Sequence, residues 1–224
     1  MRAIGRGGRP GRAARGSTEA SPDFSRASVF SRAALAPPLE AGLAALGLEL
    51  DPGARSKLLD YLALLAKWNT VYNLTAVREP GAMLVQHLLD SLSIVGPLAS
   101  RKPIERLVDV GSGGGLPGIV LAIAWPEALV HLVEPVGKKA AFLRQCAGEL
   151  ALAHVQVHEC RVEQLSPERV GTPDLIVCRA FASLADFVGG IDALVAPTTI
   201  VAAMKGALPQ DEIEAQPARW PVGE

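Results

Sequence analysis

The chain has 224 residues, of which 49% are hydrophobic, and a net charge of −1. This size predicts one domain with a large apolar core. The sequence has no secretory signal and no apolar run of transmembrane length, which excludes secreted and membrane-spanning classes. Its three unclustered cysteines argue against a disulfide framework or a zinc site and fit a reducing cytoplasm. We therefore expect a cytoplasmic protein with neither a membrane nor a metal partner.

The beginning of the chain differs from the rest in charge. Residues 1–36 contain seven Arg and two acids, a balance of +5, so the remainder carries −6. A segment rich in Arg, Gly, Ala and Ser predicts disorder, and we assign residues 1–36 as a disordered basic tail. It could contact RNA phosphates or act as a transit-like peptide. We favour a third interpretation, an over-long N-terminus from a misassigned start.

Residues 37–105 predict a helical cap in front of the first strand. Pro37-Pro38 end the tail. The second cap helix carries an apolar stripe from Leu58 to Trp68, which is typical of core packing. The third is followed by Pro97. The predicted cap helices are Leu39–Leu48, Ala54–Asn69 and Met83–Val95.

From Arg106 onward, apolar strands alternate with helices. This order predicts an α/β fold with a doubly wound, mostly parallel sheet over residues 106–224. The predicted strands are Leu107–Val110, Leu129–Val133, Val155–His158, Leu175–Cys178 and Thr199–Met204. The predicted helices are Ile119–Ala124, Lys138–Leu150 and Leu184–Leu194, with a further helix starting over Asp211–Ala215.

A glycine-rich turn follows the first predicted strand. In the run Val-Asp-Val-Gly-Ser-Gly-Gly-Gly-Leu-Pro-Gly-Ile, Gly111, Gly113 and Gly115 lie between strand and helix. Glycine adopts positive φ without steric cost and lets a ligand touch the main chain. Strand, glycine turn and helix in this order present backbone N–H groups to a nucleotide-like ligand.

Two ligand templates compete for this turn. The dinucleotide fingerprint G-x-G-x-x-G fits only in a shifted register, Gly113-Gly115-Gly118, although Gly111 already holds the strand end. The pattern D-x-G-x-G-x-G from Asp109 fits the strand end directly and resembles motif I of the S-adenosylmethionine-dependent methyltransferases. A carboxylate suits a ligand with an ammonium and a sulfonium better than it suits a pyrophosphate. We therefore favour a methyltransferase over a nicotinamide enzyme.

Further candidate site residues follow the later strands. Glu134 ends the second strand, where one carboxylate can accept hydrogen bonds from both ribose hydroxyls; a plain loop acid is the alternative. The Val162-Glu163 loop after the third strand is expected over adenine, but Glu163 could equally be an acid at a helix start. Arg179 ends the fourth strand, where it could bind the methionine carboxylate, an RNA phosphate or a base edge.

Several polar residues are candidate RNA contacts. Lys138 and Arg144 lie on the helix after the second strand and could face phosphates or only solvent. Lys205 follows the fifth strand, at the same sheet edge as the fourth strand's end. Asn73 and Arg78 lie in the turn before the third cap helix, where they could reach RNA or merely cap a helix.

One cap helix carries His87, Asp90 and Ser91. Three residues this close on one helix cannot reproduce a catalytic triad, whose members converge from separate elements. His87 shares a helix face with each of the other two, because they lie three and four positions further on. We favour a hydrogen-bond cluster between cap and sheet, or a substrate contact.

The reaction most compatible with these residues needs no enzyme base. Cys178 invites pyrimidine C5 methylation through a Cys nucleophile, but Val177 stands where that class has Pro, and a buried small residue is the stronger interpretation. The Asn/Asp-Pro-Pro-aromatic motif of amino-group methylation does not follow the fourth strand. A ring nitrogen can attack a sulfonium methyl with its own lone pair, and alignment then supplies most of the acceleration.

Taken jointly, six segments resemble the glucose-inhibited division protein B family, the bacterial 16S rRNA guanine-N7 methyltransferases, over about residues 39–206. The resemblance implies a Rossmann-like class I methyltransferase fold, S-adenosylmethionine as cofactor, and a guanine N7 in the decoding-region loop of 16S rRNA as acceptor. We expect a monomer without a catalytic base. The segments are Asn73–Arg78, His87–Leu92, Val108–Ile119, Gly137–Leu143, Arg161–Glu163 and Arg179–Leu184. The expected cofactor-binding residues are Gly111, Gly113, Gly115, Leu116, Glu134, Pro135, Val136, Val162, Glu163 and Arg179. The expected contacts with 16S rRNA are Asn73, Arg78, His87, Lys138, Arg144 and Lys205.

The chain also departs from the family pattern. Gln86 stands where a basic residue is expected before His87, and residues 1–36 lie outside the pattern. Residues 216–224 contain two prolines and no strand-like alternation, so we expect the final antiparallel hairpin to be absent or replaced and the core to be C-terminally shortened. The alternatives are therefore a catalytically impaired homologue that binds RNA or the ribosome, and a nicotinamide oxidoreductase.

Overall fold

The chain enters the fold through helix α1 (Arg32–Ala45). The computed structural model describes residues 30–179, 183–207 and 209–215, so residues 1–29 of the predicted tail lie outside it. The helix begins inside the segment expected to be tail, because the Ser31 hydroxyl accepts a hydrogen bond from the backbone N–H of Ala34. It continues through Pro37 and Pro38, which the prediction placed before the helix. The buried side chains of Leu35, Leu39 and Leu43 offset the interior prolines, which cost about 3 kcal/mol each.

Helix α2 (Pro52–Tyr72) is the longest of the described helices. Asp51 caps its start by accepting from the Ala54 N–H at 2.9 Å, and Pro52 occupies the first turn, where a missing N–H costs nothing. The predicted stripe is buried, with Leu58, Leu62 and Leu65 fully inside the core. The helix ends at Asn73, which takes the left-handed conformation with a φ of 47°.

The next helical segment is irregular in the middle. It consists of α3 (Pro80–Met83), a π-helix (Leu84–Leu89) and α4 (Asp90–Leu92), and a short helix α5 (Val95–Ala99) follows. The sequence predicted one regular helix that ends before Pro97, but Pro97 lies in the first turn of α5, where proline is tolerated. A π-helix frequently marks a functional site, because its wider turn changes which backbone groups are paired.

The span Pro80–Ala99 has the length and composition of a membrane-crossing segment, with a mean hydropathy of 1.3. We expected no apolar run of that length, so this span differs from the expectation by its length and composition. The same apolar residues serve the core of the fold: Met83, Leu88 and Leu92 are fully buried, and the segment packs against α1 and α6 (Gly118–Ala124).

In the described chain, five parallel strands form one sheet in the order β3-β2-β1-β4-β5. The strands are β1 (Arg106–Val110), β2 (Leu129–Val133), β3 (Val155–His158), β4 (Leu175–Arg179) and β5 (Ile200–Met204). The strand order reverses between β1 and β4. In open α/β sheets, ligands bind at the carboxyl ends of the strands beside such a reversal.

Helices cover both faces of the sheet, as a doubly wound fold requires. Successive residues of a strand point to opposite faces, so Leu107 packs in the core beneath the cap helices, whereas Val108 packs in the core beneath the opposite layer. The remaining helical elements are α7 (Gly137–Glu149), a 3-10 helix (Val162–Gln164), α8 (Pro167–Val170), α9 (Leu184–Ile191) and α10 (Gln210–Glu214).

The predicted α/β architecture is confirmed, with small shifts at element ends. β2 and β3 have the predicted bounds, while β1 and β4 are each one residue longer. α9 ends at Ile191 instead of Leu194, and α8 and the 3-10 helix were not predicted. α10 begins at Gln210, near the predicted start. Residues 216–224, where the missing hairpin was expected, lie outside the described residues.

Candidate functional site

The glycine turn after β1 exposes its main chain at Gly111 and partly at Gly113, whereas Gly115 is buried. Gly111, Gly113 and Gly115 have φ values of 72°, 55° and 88°, a region that favours glycine. The N–H groups of Gly111 and Ser112 donate to the Val133 carbonyl at 2.9 and 3.1 Å, which joins the turn to the end of β2. A Cβ atom on Gly115 would lie 2.7 Å from the Ile119 side chain. The predicted role of these three glycines as special backbone positions therefore has a physical basis.

The cap packs directly on this turn through Tyr61, which the sequence did not single out, and through Leu65 of the predicted stripe. The Tyr61 hydroxyl donates to the Gly114 carbonyl at 2.6 Å, and Tyr61 is fully buried. A Cβ atom on Gly114 would lie 3.2 Å from Leu65 and 3.7 Å from the Leu74 side chain. A tyrosine within a buried leucine stripe was the available signal, because a buried tyrosine hydroxyl needs a partner.

Asp109, at the end of β1, is a buried acid. Its Oδ2 accepts from the Gly118 N–H at 3.1 Å, which fixes the start of α6, and its Oδ1 has no partner in the described part of the chain. Burial raises the pKa of Asp109 to about 7, against the hydrogen bonds from Ser112 and Gly118. This buried carboxyl is therefore poised to gain a compensating proton or cation.

Glu134 braces the loop after β2. One carboxylate oxygen accepts from the Gly113 N–H at 2.8 Å and the other from the Val136 N–H at 2.9 Å, and the residue is only 3% exposed. Pro135 and Val136 beside it are exposed. Each carboxylate oxygen has a second lone pair, so ribose hydroxyls could still bind once the loop opens to a ligand. The ribose role of Glu134 stays a prediction.

The loop after β3 is the 3-10 helix. Val162 is buried, and a Cβ atom on Gly190 would lie 3.0 Å from its side chain, so Val162 anchors this loop in the core. Glu163 is exposed. Leu116, which follows the glycines, is 6% exposed and packs in the core. The predicted adenine contacts of Val162 and Glu163 stay predictions, and the side chain of Val162 is engaged in packing.

Arg179 ends β4 and reaches across to the cap. Its Nη1 donates to the Gln86 carbonyl at 2.9 Å and to Asp90 Oδ2 at 3.1 Å, and its Nη2 lies 3.4 Å from His87 Nδ1. The side chain is 21% exposed. The expected hydrogen-bond cluster between cap and sheet therefore exists, and the guanidinium is its centre. Contact of Arg179 with a cofactor carboxylate stays a prediction.

The six expected RNA contacts divide into three environments. Asn73, Arg78 and Lys138 are exposed, and Arg78 donates to Asn73 Oδ1 at 3.1 Å. Two cations are already in ion pairs: Arg144 with Glu159 at 2.9 Å, and Lys205 with Glu212 at 3.0 Å. His87 is 4% exposed, and both its ring nitrogens have partners. This burial agrees with the alternative expected for His87, a hydrogen-bond cluster between cap and sheet, and its contact with RNA stays a prediction.

The environment of Cys178 disfavours a role as nucleophile. Cys178 is buried, and burial raises its pKa to about 12, so the thiol stays protonated at neutral pH and is a poor nucleophile. Within residues 30–179, 183–207 and 209–215, no three His, Cys, Asp or Glu side chains come together as metal ligands. The interpretation of Cys178 as a small buried residue agrees with this environment.

Comparison with known proteins assigns the family. A family model described as rRNA small subunit methyltransferase G matches residues 54–223. The chain belongs to this methyltransferase G family. A Ribosomal RNA small subunit methyltransferase G of Acidovorax sp. (strain JS42) is 49% identical over 201 residues, which cover 85% of this chain and 87% of that protein. One of Burkholderia thailandensis is 53% identical over 190 residues, or 84% of this chain and 82% of that protein.

The methyltransferase G match extends further along the chain than the resemblance read from the motifs, which ended near residue 206. It includes the glycine turn, Glu134, Arg179 and most of the cap. Among solved structures, a putative protein-L-isoaspartate O-methyltransferase of Plasmodium falciparum in complex with S-adenosyl-L-homocysteine aligns with a TM-score of 0.45 at 20% identity, covering 73% of this chain and 81% of that one.

Proposed function

We propose that the protein transfers the methyl group of S-adenosylmethionine to N7 of a guanine in 16S rRNA of the small ribosomal subunit. The observation that carries this proposal is the glycine turn at the end of β1, braced by Glu134 beside the strand-order reversal, in a chain of the methyltransferase G family. Relatives at about half identity are named ribosomal RNA small subunit methyltransferases, which supports the substrate class.

The carboxyl edge of β1 and β2 suits the proposed cofactor. The turn at Gly111, Gly113 and Gly115 offers main chain that is exposed at Gly111 and part-exposed at Gly113 to the methionine moiety, next to the buried carboxyl of Asp109, which favours a cation. Glu134 lies where ribose hydroxyls are expected, and the exposed Val136 offers an apolar contact beside it. The remaining proposed contacts are Leu116, Pro135, Val162, Glu163 and Arg179.

The proposed acceptor explains why the site needs no general base. S-adenosylmethionine supplies an electrophilic methyl group on a sulfonium. The lone pair of guanine N7 forms the new N–C bond while the S–C bond breaks and its electrons stay on sulfur, and no proton moves. The positive charge passes from sulfur to the guanine ring. The protein's task is then alignment and exclusion of water, which can lower the barrier by roughly 7–11 kcal/mol.

The proposed RNA contacts lie on the cap and the following helix. Asn73, Arg78 and Lys138 are exposed and could bind phosphates. Arg144 and Lys205 would first have to leave Glu159 and Glu212. In this proposal residues 37–105 form the helical cap, residues 106–224 form the cofactor-binding core, and the protein acts as a cytoplasmic monomer on a guanine of the decoding-region loop.

The test is transfer of labelled methyl from S-adenosylmethionine to small ribosomal subunits that lack the modification, followed by chemical cleavage at N7-methylguanine. We expect label at one guanine of the decoding-region loop. No transfer by a protein that S-adenosylhomocysteine still protects from thermal unfolding would indicate the impaired RNA-binding homologue. Protection by NAD and not by S-adenosylhomocysteine would indicate an oxidoreductase and overturn the proposal.

A further inference from the structure

A chain of buried hydrogen bonds runs behind Arg179 into the cap. Asn69, 3% exposed on α2, accepts from the Thr75 N–H at 2.9 Å and donates to the Val77 carbonyl at 3.4 Å. The Thr75 hydroxyl accepts from the Val77 N–H at 3.1 Å and lies 2.8 Å from His87 Nε2. The loop after α2 is therefore tied to the π-helix through one threonine hydroxyl.

These contacts favour one protonation state of His87. A guanidinium can only donate, so in the contact with Arg179 Nη2 the acceptor is His87 Nδ1. The ring proton then lies on Nε2 and is donated to the Thr75 hydroxyl. Burial lowers the pKa of His87, which favours this neutral form next to Arg179. One tautomer satisfies both neighbours, and it offers an acceptor to the arginine.

The π-helix supplies a second acceptor for Arg179. In an α-helix the Asp90 N–H would bond to the carbonyl four residues earlier, that of Gln86. Here it bonds to the carbonyls of Val85 and His87, and the Gln86 carbonyl accepts from Arg179 Nη1 at 2.9 Å. The wider turn of the π-helix therefore leaves the Gln86 carbonyl outside the helical hydrogen bonds and directs it toward the end of β4.

We propose that His87 is a positioning residue for methyl transfer, which acts through Arg179. With Asn69 and Thr75 behind it, and with the Gln86 carbonyl and Asp90 beside it, His87 holds the guanidinium in one orientation at the carboxyl edge of β4. The cap therefore directs an arginine that belongs to the sheet. This role rests on the proposed function, because its effect is measured as a change in the rate of methyl transfer.

Two amide variants separate the two nitrogens of His87. The amide of His87→Asn lies at the distance of Nδ1 and can still accept from Arg179, whereas that of His87→Gln lies at the distance of Nε2 and reaches only Thr75. We expect His87→Gln to lower kcat by up to about 100-fold, as misplacement by about 1 Å can do. His87→Asn should recover most of kcat. The KM for small subunits should stay within about threefold in both, because binding is carried by other contacts.

The measurement is the rate of labelled methyl transfer by the full chain, with thermal unfolding recorded for each variant. Ser93→Ala is the matched control, since Ser93 lies exposed at the end of the same segment and its hydroxyl donates only to the Asp90 carbonyl among the described contacts. It should leave kcat unchanged. Equal kcat losses in His87→Asn and His87→Gln, in proportion to lost thermal stability, would overturn the positioning role.

A double-mutant cycle with Arg179→Ala tests whether His87 acts through the arginine. If it does, His87→Gln costs little further kcat once Arg179 is gone, so the two losses are far from additive. Additive losses in an active protein would overturn the positioning role and leave the proposed function standing. A wild-type protein that transfers no methyl to small subunits would overturn the proposed function, and the positioning role with it.

Discussion

The two edges of the candidate site are built in different ways. The glycine edge, Gly111–Val136 at the ends of β1 and β2, is held by contacts such as that between Gly113 and Glu134, which lie 21 residues apart. The arginine edge, Arg179 with its cap partners, joins residues up to 93 positions apart. Consecutive strand–helix units form the glycine edge, whereas the arginine edge exists only because the cap folds onto the sheet. Damage to the first should therefore affect cofactor binding, and damage to the second should affect turnover.

Gly111→Asp is expected to have the largest effect. Gly111 has a φ of 72°, and a side chain there would place strain and negative charge where the cofactor is proposed to contact the main chain. We expect no S-adenosylhomocysteine binding by calorimetry, with the fold retained by circular dichroism. Gly148→Ala is the control, because a Cβ atom at Gly148 meets nothing within 4 Å. Unchanged affinity in Gly111→Asp would place the cofactor elsewhere.

Arg179→Ala should come next in size and should act on turnover. We expect kcat to fall by up to about 100-fold. Stability should change little, because the pair with Asp90 is part-exposed, and such pairs contribute about 0–1 kcal/mol. Arg179→Lys should not rescue turnover, since one ammonium cannot reproduce the fork between Gln86 and His87. Arg55→Ala, which breaks an exposed cap pair, is the control. Parallel losses of kcat and stability would make Arg179 a structural residue.

Glu134→Gln should weaken the glycine edge without removing it. In Glu134→Gln, the side-chain NH2 group would lie against the N–H of either Gly113 or Val136, so two donors would face each other. Loss of a hydrogen bond to a charged group costs about 1.5–3 kcal/mol, so we expect the KM for S-adenosylmethionine to rise roughly tenfold or more. The KM for small subunits should not change. The exposed Glu127→Gln is the control. A rise in the KM for small subunits alone would show that Glu134 does not bind the cofactor.

A fall in pH should lower the stability of the protein through His131, which lies away from both edges of the site. Burial, together with His158 and Arg106, lowers the pKa of the fully buried His131 to about 4. In the unfolded chain, His131 takes up a proton near its ordinary pKa of about 6.5. The contribution of neutral His131 to stability is therefore fully present above about pH 6.5 and is lost as pH falls. Between about pH 7 and pH 5 we expect a loss on the order of 2 kcal/mol in urea unfolding.

The His131 effect needs a difference measurement. The raised pKa of Asp109 works in the opposite direction, because stability from its protonated form is lost as pH rises toward 7. Subtracting the pH profile of His131→Gln from that of the wild type isolates the histidine. A difference that does not vary with pH would show that His131 titrates normally in the folded protein.

Tyr61→Phe should have the smallest effect. It leaves the Gly114 carbonyl without its donor and should lower the free energy of unfolding by about 1 kcal/mol. Cofactor affinity should change less than in Glu134→Gln, because Tyr61 supports the turn from the cap side. Tyr72→Phe, which keeps the ring contact with Trp68, is the control. A loss of affinity as large as that of Glu134→Gln would mean that the cap also shapes the glycine edge.

The same contrast explains what could be predicted from the sequence. The glycine edge was predicted because positive-φ glycines, strand ends and an acid one strand later follow from local pattern and parallel topology. The place of Arg179 at the sheet edge followed in the same way. A cluster of His87 with the sheet was also expected, but its pairing with Arg179 was not, because no pattern in residues 84–90 specifies a π-helix and the burial of His87 depends on packing between distant segments. Pro37 and Pro38 misled the reading of α1, since packing of its leucines outweighed a local preference.

The π-helix has a consequence for evolution and design. A regular α-helix over residues 80–92 would close every backbone bond and would be the more stable local structure. It would also return the Gln86 carbonyl to its own helix and rotate His87 away from the sheet. Deletion of one residue from this segment should therefore raise the free energy of unfolding and lower the rate of methyl transfer. The π-helix therefore trades local stability for a backbone acceptor that reaches Arg179, on a strand some ninety residues away.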